Sequence, residues 1–221
     1  FFFDLPSGTT REQFGIALST YSYRDFKNDV QDALVSYFGA SAVKRGNKAF
    51  DIHENSYHVD SDVAPFFEHR RYNSGGGYSS GVELEPDNGG RVINWPEQHY
   101  ENGVSKNTDT SRRFKALVRI FKSLCNYMSE KGVAEAKAVP SFLLECLIWN
   151  VPNEKFGNAT YSDDVKACLI FLYNGTKTQD TCNDWGEVSE LKYLFRGNQK
   201  WTCEQANKFI VSAWNYIGYK S

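Results

Sequence analysis

At Thr110 the hydrophobic period of the chain changes, and that change limits what each half can become. Before it, apolar residues come in short runs broken by Gly, Pro, Asn and Asp, the pattern of strands joined by turns. After it, Phe114, Leu117, Val118, Phe121, Leu124, Cys125 and Met128 recur at spacings of three and four, which predicts an amphipathic helix ending near Gly132. Three more helices follow. Leu143, Leu144, Leu147 and Ile148 stand behind Pro140, which suits a first helical turn; Val165 to Leu172 carries one apolar face. Ala206, Phe209, Ile210, Ala213 and Ile217 carry another, begun by Thr202 with Gln205 three residues on. Strands first and helices second predict an α+β fold, with a strand-rich region over 1–109 and a helical subdomain over 110–221.

Within the first half, Ser22 caps a helix starting near Arg24 whose apolar positions are Phe26, Val30, Ala33, Leu34 and Tyr37, with Gly39 as its stop. A hairpin is predicted next, Lys48–Ile52 and Tyr57–Val63 around His53-Glu54-Asn55-Ser56, with Pro65 closing it. Period two places Tyr57, Val59, Ser61 and Val63 on one face of the second strand and His58, Asp60 and Asp62 on the other. Ser74 to Gly81 reads as a glycine and serine loop. A second hairpin joins Val82–Leu84 to Arg91–Ile93, and a polar segment, Asn94 to Asp109, leads to the helices.

The chain has 221 residues and a formal charge of −2, so phosphate binding has to come from a local basic cluster and not from the overall field. Five cysteines at irregular spacings, without a CxxC pair, read as reduced core thiols of a cytoplasmic protein. His53, His58, His69 and His99 lack metalloprotease spacing, and Gly75-Gly76-Gly77 lacks the Lys-Ser/Thr of a P-loop. The glycosylation-type triplets at Asn158 and Asn174 are read as chance, since nothing resembles a signal peptide or a membrane span.

Three features could carry chemistry. Asp60 and Asp62 are two carboxylates on one strand face; either they face water at an edge, the plainer account, or a divalent cation offsets them. Arg112, Lys115, Arg119 and Lys122 form a basic row along the long helix without an acidic partner in the row. A solvated face and a polyphosphate cradle account for that row equally well. Ser141 opens a helix, where free N–H groups favour an anion, although ordinary capping explains it too.

The segments RGNKAFDIHENSYHVDSDVAPFFEHRRY, INWPEQHYENGVSKNTDTSRRFKALVRIFKSL and WTCEQANKFIVSAWNYIGY resemble the bacterial CD-NTases, the cGAS/DncV-like cyclic-oligonucleotide synthases related to oligoadenylate synthase. The resemblance spans nearly the whole chain. It implies a polymerase-β-like nucleotidyltransferase core, a mixed sheet with helices that is partial over 1–109, followed by a helical subdomain, with nucleoside triphosphates (ATP, GTP or a pyrimidine NTP) bound between them. It also implies Mg2+, or Mn2+ in its place, and a role in anti-phage (CBASS) signalling beside regulatory proteins, with no membrane and no sequence-specific nucleic acid as partner.

By the same resemblance Asp62, in Asp-Val-Ala-Pro, matches the third catalytic, metal-binding Asp, and Asp60 does not match that position. Lys122 in Ile-Phe-Lys-Ser-Leu and Ser141 in Pro-Ser-Phe-Leu-Leu match the residues that hold the donor triphosphate. The family's Gly-Ser motif and Asp-x-Asp pair are expected just upstream of Phe1-Phe2-Phe3, so these residues alone are expected to be inactive unless the missing segment is supplied, for instance by a separate chain. Two rival readings are a nucleotide- or partner-binding module without turnover and a nucleotidyltransferase acting on another acceptor.

Overall fold

A computed structural model describes residues 1–53, 59–197 and 199–219. They form two compact units, Phe1–Pro96 and Glu97–Ser221. The first unit contains β1 (Phe2–Asp4), a 3-10 turn (Arg11–Phe14), α1 (Tyr23–Phe38), β2 (Val43–Arg45), β3 (Phe50–Ile52), β4 (Ser61–Val63), β5 (Phe67–Tyr72), β6 (Tyr78–Leu84) and β7 (Val92–Asn94). One sheet has the order β1-β5-β6-β7 and another β2-β3-β4. β1 runs parallel to β5 and the other pairings are antiparallel, which makes the first sheet mixed.

Ser22 caps α1 as its sequence demands: its Oγ accepts from the Asp25 N–H, and the Asp25 carboxylate accepts from the Ser22 N–H. The buried face of the helix differs from the expected stripe. Tyr23 and Lys27 are buried, whereas Tyr37 is 83% exposed. Lys27 is only 1% exposed and needs acceptors to remain there; its Nζ donates to Gly46 O at 3.2 Å and Asn47 O at 2.8 Å and pairs with Asp87 at 3.0 Å. A charged residue thus anchors the helix where periodicity sought an apolar one. Around it Phe2, Tyr23, Phe26 and Phe67 pack as an aromatic group, with Phe26 and Phe67 stacked at 4.9 Å.

The predicted hairpin appears as β3 and β4, with Phe50 opposite Val63 and Ile52 opposite Ser61. Glu54, Asn55 and Ser56 of the expected turn, and Tyr57 and His58 of the expected strand, lie outside the described residues. Val59, expected on the apolar face, is 73% exposed, and the strand proper begins at Ser61. The glycine loop is shorter than expected: Asn73 Oδ1 accepts from the N–H groups of Gly75 and Gly77, and Tyr78 already begins β6.

The charged run Glu68, His69, Arg70 and Arg71 hides the strand character of β5 in the sequence. In the sheet they are paired. Arg70 holds Glu68 through two hydrogen bonds. His69 Nδ1 stands 2.6 Å from Glu83 Oε2, and both residues are fully buried. Arg91 grips the same Glu83 at 2.5 and 2.8 Å and reaches Asp4 at 3.0 Å, which ties β1, β5, β6 and the β7 hairpin through one carboxylate. Gly81 allows the buried Trp95 ring to lie on β6, since a Cβ there would stand 2.6 Å from that ring. Trp95 also meets His69 edge-on at 5.2 Å and the Arg71 guanidinium at 4.5 Å.

The second unit contains α2 (Pro96–Asp109), α3 (Arg113–Glu130), α4 (Ala134–Lys137), α5 (Ser141–Trp149), a 3-10 turn (Asn153–Lys155), α6 (Tyr161–Gly175), α7 (Gln179–Cys182) and α8 (Cys203–Ile217). Phe114, Leu117, Val118, Phe121, Cys125 and Met128 of α3 are all buried, as the stripe requires. They pack with the apolar faces of α5, α6 and α8 in one core.

α2 replaces the expected polar segment. Polar residues support it: Lys106 donates to Val151 O at 2.8 Å and Asn153 Oδ1 at 2.9 Å, with the Phe114, Trp149 and Phe156 rings around it. Cys182 and Cys203 are paired as a disulfide between α7 and the start of α8, which corrects the expected reduced state for these two. Their separation of 21 residues concealed a proximity created by tertiary packing. Cys125, Cys146 and Cys168 are free and buried. Among the described residues no helix is long and apolar enough to cross a membrane.

Candidate functional site

Asp62 belongs to the first unit and Lys122 and Ser141 to the second. Asp62 is exposed at the centre of β4, directly opposite Asp51 of β3. Like charges facing each other across an antiparallel pair repel, so nothing in the local pairing explains a carboxylate here. Its hard oxygens suit one ligand position of Mg2+ or a similar ion. Among the described residues no group of three His, Cys, Asp or Glu side chains is placed to hold a metal. Asp60 lies in the coil just before β4.

In the second unit Lys122 meets a residue that the sequence did not nominate. Lys122 leaves α3 and donates to Glu145 Oε2 of α5 at 2.8 Å. Ser141 is four residues before Glu145 on the same helix, and residues at that spacing share a face. His99 of α2 approaches the other Glu145 oxygen at 3.3 Å and stacks on Phe142 at 5.7 Å. Three helices therefore converge on the Glu145 carboxylate.

The basic row is correspondingly less uniform than its spacing suggested. Lys115 lies over the Tyr100 ring at 5.6 Å, Arg119 is exposed, and Arg112 occupies the left-handed N-cap of α3 with φ 69°. The row's missing acidic partner is Glu145, supplied by another helix and therefore invisible to spacing within α3. Pro140 is also one position earlier than expected: it is the N-cap, Ser141 is the first helical residue, and no side chain caps the helix. The first-turn N–H groups of α5 thus open beside Ser141 with the positive end of the helix dipole.

Hydrogen bonding from His99, then from Lys122, holds the Glu145 carboxyl down at about 2 despite its burial. In the first unit Arg45, then Lys27, does the same for Asp87, also to about 2. Both lie below their ordinary values of 4.5 and 3.8, so their stabilising contribution is present above those values and is lost as pH falls toward 2. The thermal midpoint, followed by circular dichroism, is expected to be level above about pH 5 and to fall between about 4.5 and 2. A midpoint unchanged down to pH 2 would remove both assignments.

Residues 101–218 match the cGAS/DncV-like nucleotidyltransferase C-terminal helical domain. Over 220 residues the chain is 45% identical to the cyclic dipyrimidine nucleotide synthase CdnE of Cecembia lonarensis, covering 99% of this chain and 75% of that protein. The structure of the Rhodothermus marinus CdnE c-UMP-AMP synthase with Apcpp and Upnpp aligns with a TM-score of 0.82 at 28% identity, over 100% of this chain and 75% of that one. That of the Elizabethkingia meningoseptica CdnE cyclic dinucleotide synthase with GTP and Apcpp aligns at 0.79 and 31%, over 91% and 73%. The architecture is that of a nucleotidyltransferase. More narrowly, the chain belongs to the cGAS/DncV-like nucleotidyltransferases, the CD-NTases.

Proposed function

We propose that the protein joins nucleoside triphosphates into a cyclic di- or trinucleotide in the cytoplasm, as a second messenger of anti-phage (CBASS) signalling. A 2′ or 3′ hydroxyl of one nucleotide attacks the α-phosphorus of another, pyrophosphate leaves, and a second such transfer closes the ring. The observation that carries this reading is the Lys122–Glu145 contact, which sets Lys122 against α5, the helix that Ser141 begins, in a chain of this family. Lys122 neutralises the donor triphosphate as a point charge, and Ser141 and the first-turn N–H groups of α5 donate to its oxygens. Asp62 provides a carboxylate for Mg2+ or Mn2+ on the acceptor side and accepts the hydroxyl proton. When bound, the metal supplies charge stabilisation for the attacking and leaving oxygens.

A 45% identical relative is a cyclic dipyrimidine synthase, so UTP and CTP are the first substrates to test, followed by ATP and GTP. The full-length protein incubated with these and Mg2+ should yield a phosphatase-resistant product by chromatography and mass spectrometry. Lys122→Ala should raise the donor KM about ten- to a hundredfold, the range for losing a charged hydrogen bond. Nucleotide binding without turnover would favour a binding module instead, and label transferred to a macromolecule would favour another acceptor. An unchanged KM would remove Lys122 from the site.

A further inference from the structure

We infer that Glu145 sets the anion selectivity of the donor site by competing with the triphosphate for Lys122. This rests on Lys122 being the triphosphate ligand. Lys122 Nζ is engaged at 2.8 Å by a carboxylate. That carboxylate stays ionised at any physiological pH, because His99 and Lys122 both donate to it. The pair is partly enclosed, with Lys122 31% and Glu145 25% exposed, so solvent screening is incomplete.

Two consequences follow from charge alone. An incoming phosphate finds a lysine whose charge is already partly neutralised, and it meets a like charge one ion-pair distance away. A weakly charged ligand gains too little from Lys122 to overcome both. A full triphosphate, which also contacts the N-terminus of α5, gains enough. Lysine has three donors, so Nζ can turn part of its hydrogen bonding to phosphate without leaving the site. Glu145 thereby disfavours shorter phosphates and weakens the hold on the pyrophosphate product.

The discriminating variant is Glu145→Gln in the full-length enzyme, which keeps the acceptor oxygen and the shape but removes the charge. The donor KM is expected to fall about threefold or more, the scale of a partly exposed charge pair. Inhibition by pyrophosphate should strengthen by more than the KM falls, whereas inhibition by inorganic tripolyphosphate should only track the KM, with kcat unchanged or lower. In a Lys122→Ala background the same substitution should have no such effect. A rise in KM, or unchanged pyrophosphate inhibition in a variant with a normal thermal midpoint, overturns the inference. Glu145→Asp, which retains the charge, serves as a second probe if Glu145→Gln folds poorly, and it should retain the weak pyrophosphate inhibition. If Lys122→Ala itself leaves KM unchanged, the underlying site assignment fails and not this inference alone.

Discussion

Asp62→Asn in the full-length enzyme is expected to lower kcat for cyclic nucleotide formation by about a thousandfold, without loss of stability. The magnitude follows from the role: removing one carboxylate from a cation-assisted transfer forfeits several kcal/mol of transition-state stabilisation, and about 4 kcal/mol corresponds to three decades. The stability expectation follows from the sheet. Asp62 is exposed and faces Asp51 across β3 and β4, so a neutral isostere relieves a repulsion and leaves the core untouched. Activity should therefore disappear while the thermal midpoint holds or rises slightly. Product formation at the parental rate would take Asp62 out of the reaction, and a lowered midpoint would show that it supports the fold.

The second large effect is on folding. Glu83→Ala should destabilise the first unit by about 2–3 kcal/mol, the upper range for losing hydrogen bonds to a charged, buried acceptor. Glu83 is fully buried and holds His69 at 2.6 Å and Arg91 at 2.5 and 2.8 Å, so truncation leaves a buried ring nitrogen without its acceptor and the part-exposed Arg91 guanidinium with Asp4 alone. For a unit of this size each kcal/mol moves the midpoint by about 4–8 °C, so a fall of more than about 8 °C is expected in calorimetry. Glu83→Gln, which keeps the shape and one acceptor, should lose less. A loss below about 1 kcal/mol for Glu83→Ala would mean that the cluster relaxes into water, and the carboxylate would no longer be what joins these strands.

The legibility of this chain followed the source of each element's stability. α3, α5, α6 and α8 are held by apolar stripes, and a stripe can be counted. α2 is held by Lys106 and β5 by His69, whose partners lie elsewhere in the chain, and by the Glu68–Arg70 pair within the strand itself, so neither shows an apolar pattern that can be counted. The same distinction governs the site. Lys122 and Ser141 could be nominated by resemblance to a family, and so could Asp62. Glu145 and His99 could not be found by spacing, because their significance arises only when α2, α3 and α5 pack together. The Cys182–Cys203 pair was concealed for the same reason.

The packing of Trp95 on Gly81 has an optical consequence. Of the five tryptophans, Trp95 alone belongs to the first unit; Trp149, Trp185, Trp201 and Trp214 belong to the second. With those four replaced by phenylalanine, ultraviolet emission would come from a single indole enclosed between β6, His69 and Arg71. Its colour and lifetime would then report the state of the mixed sheet around it during denaturation, without an attached dye.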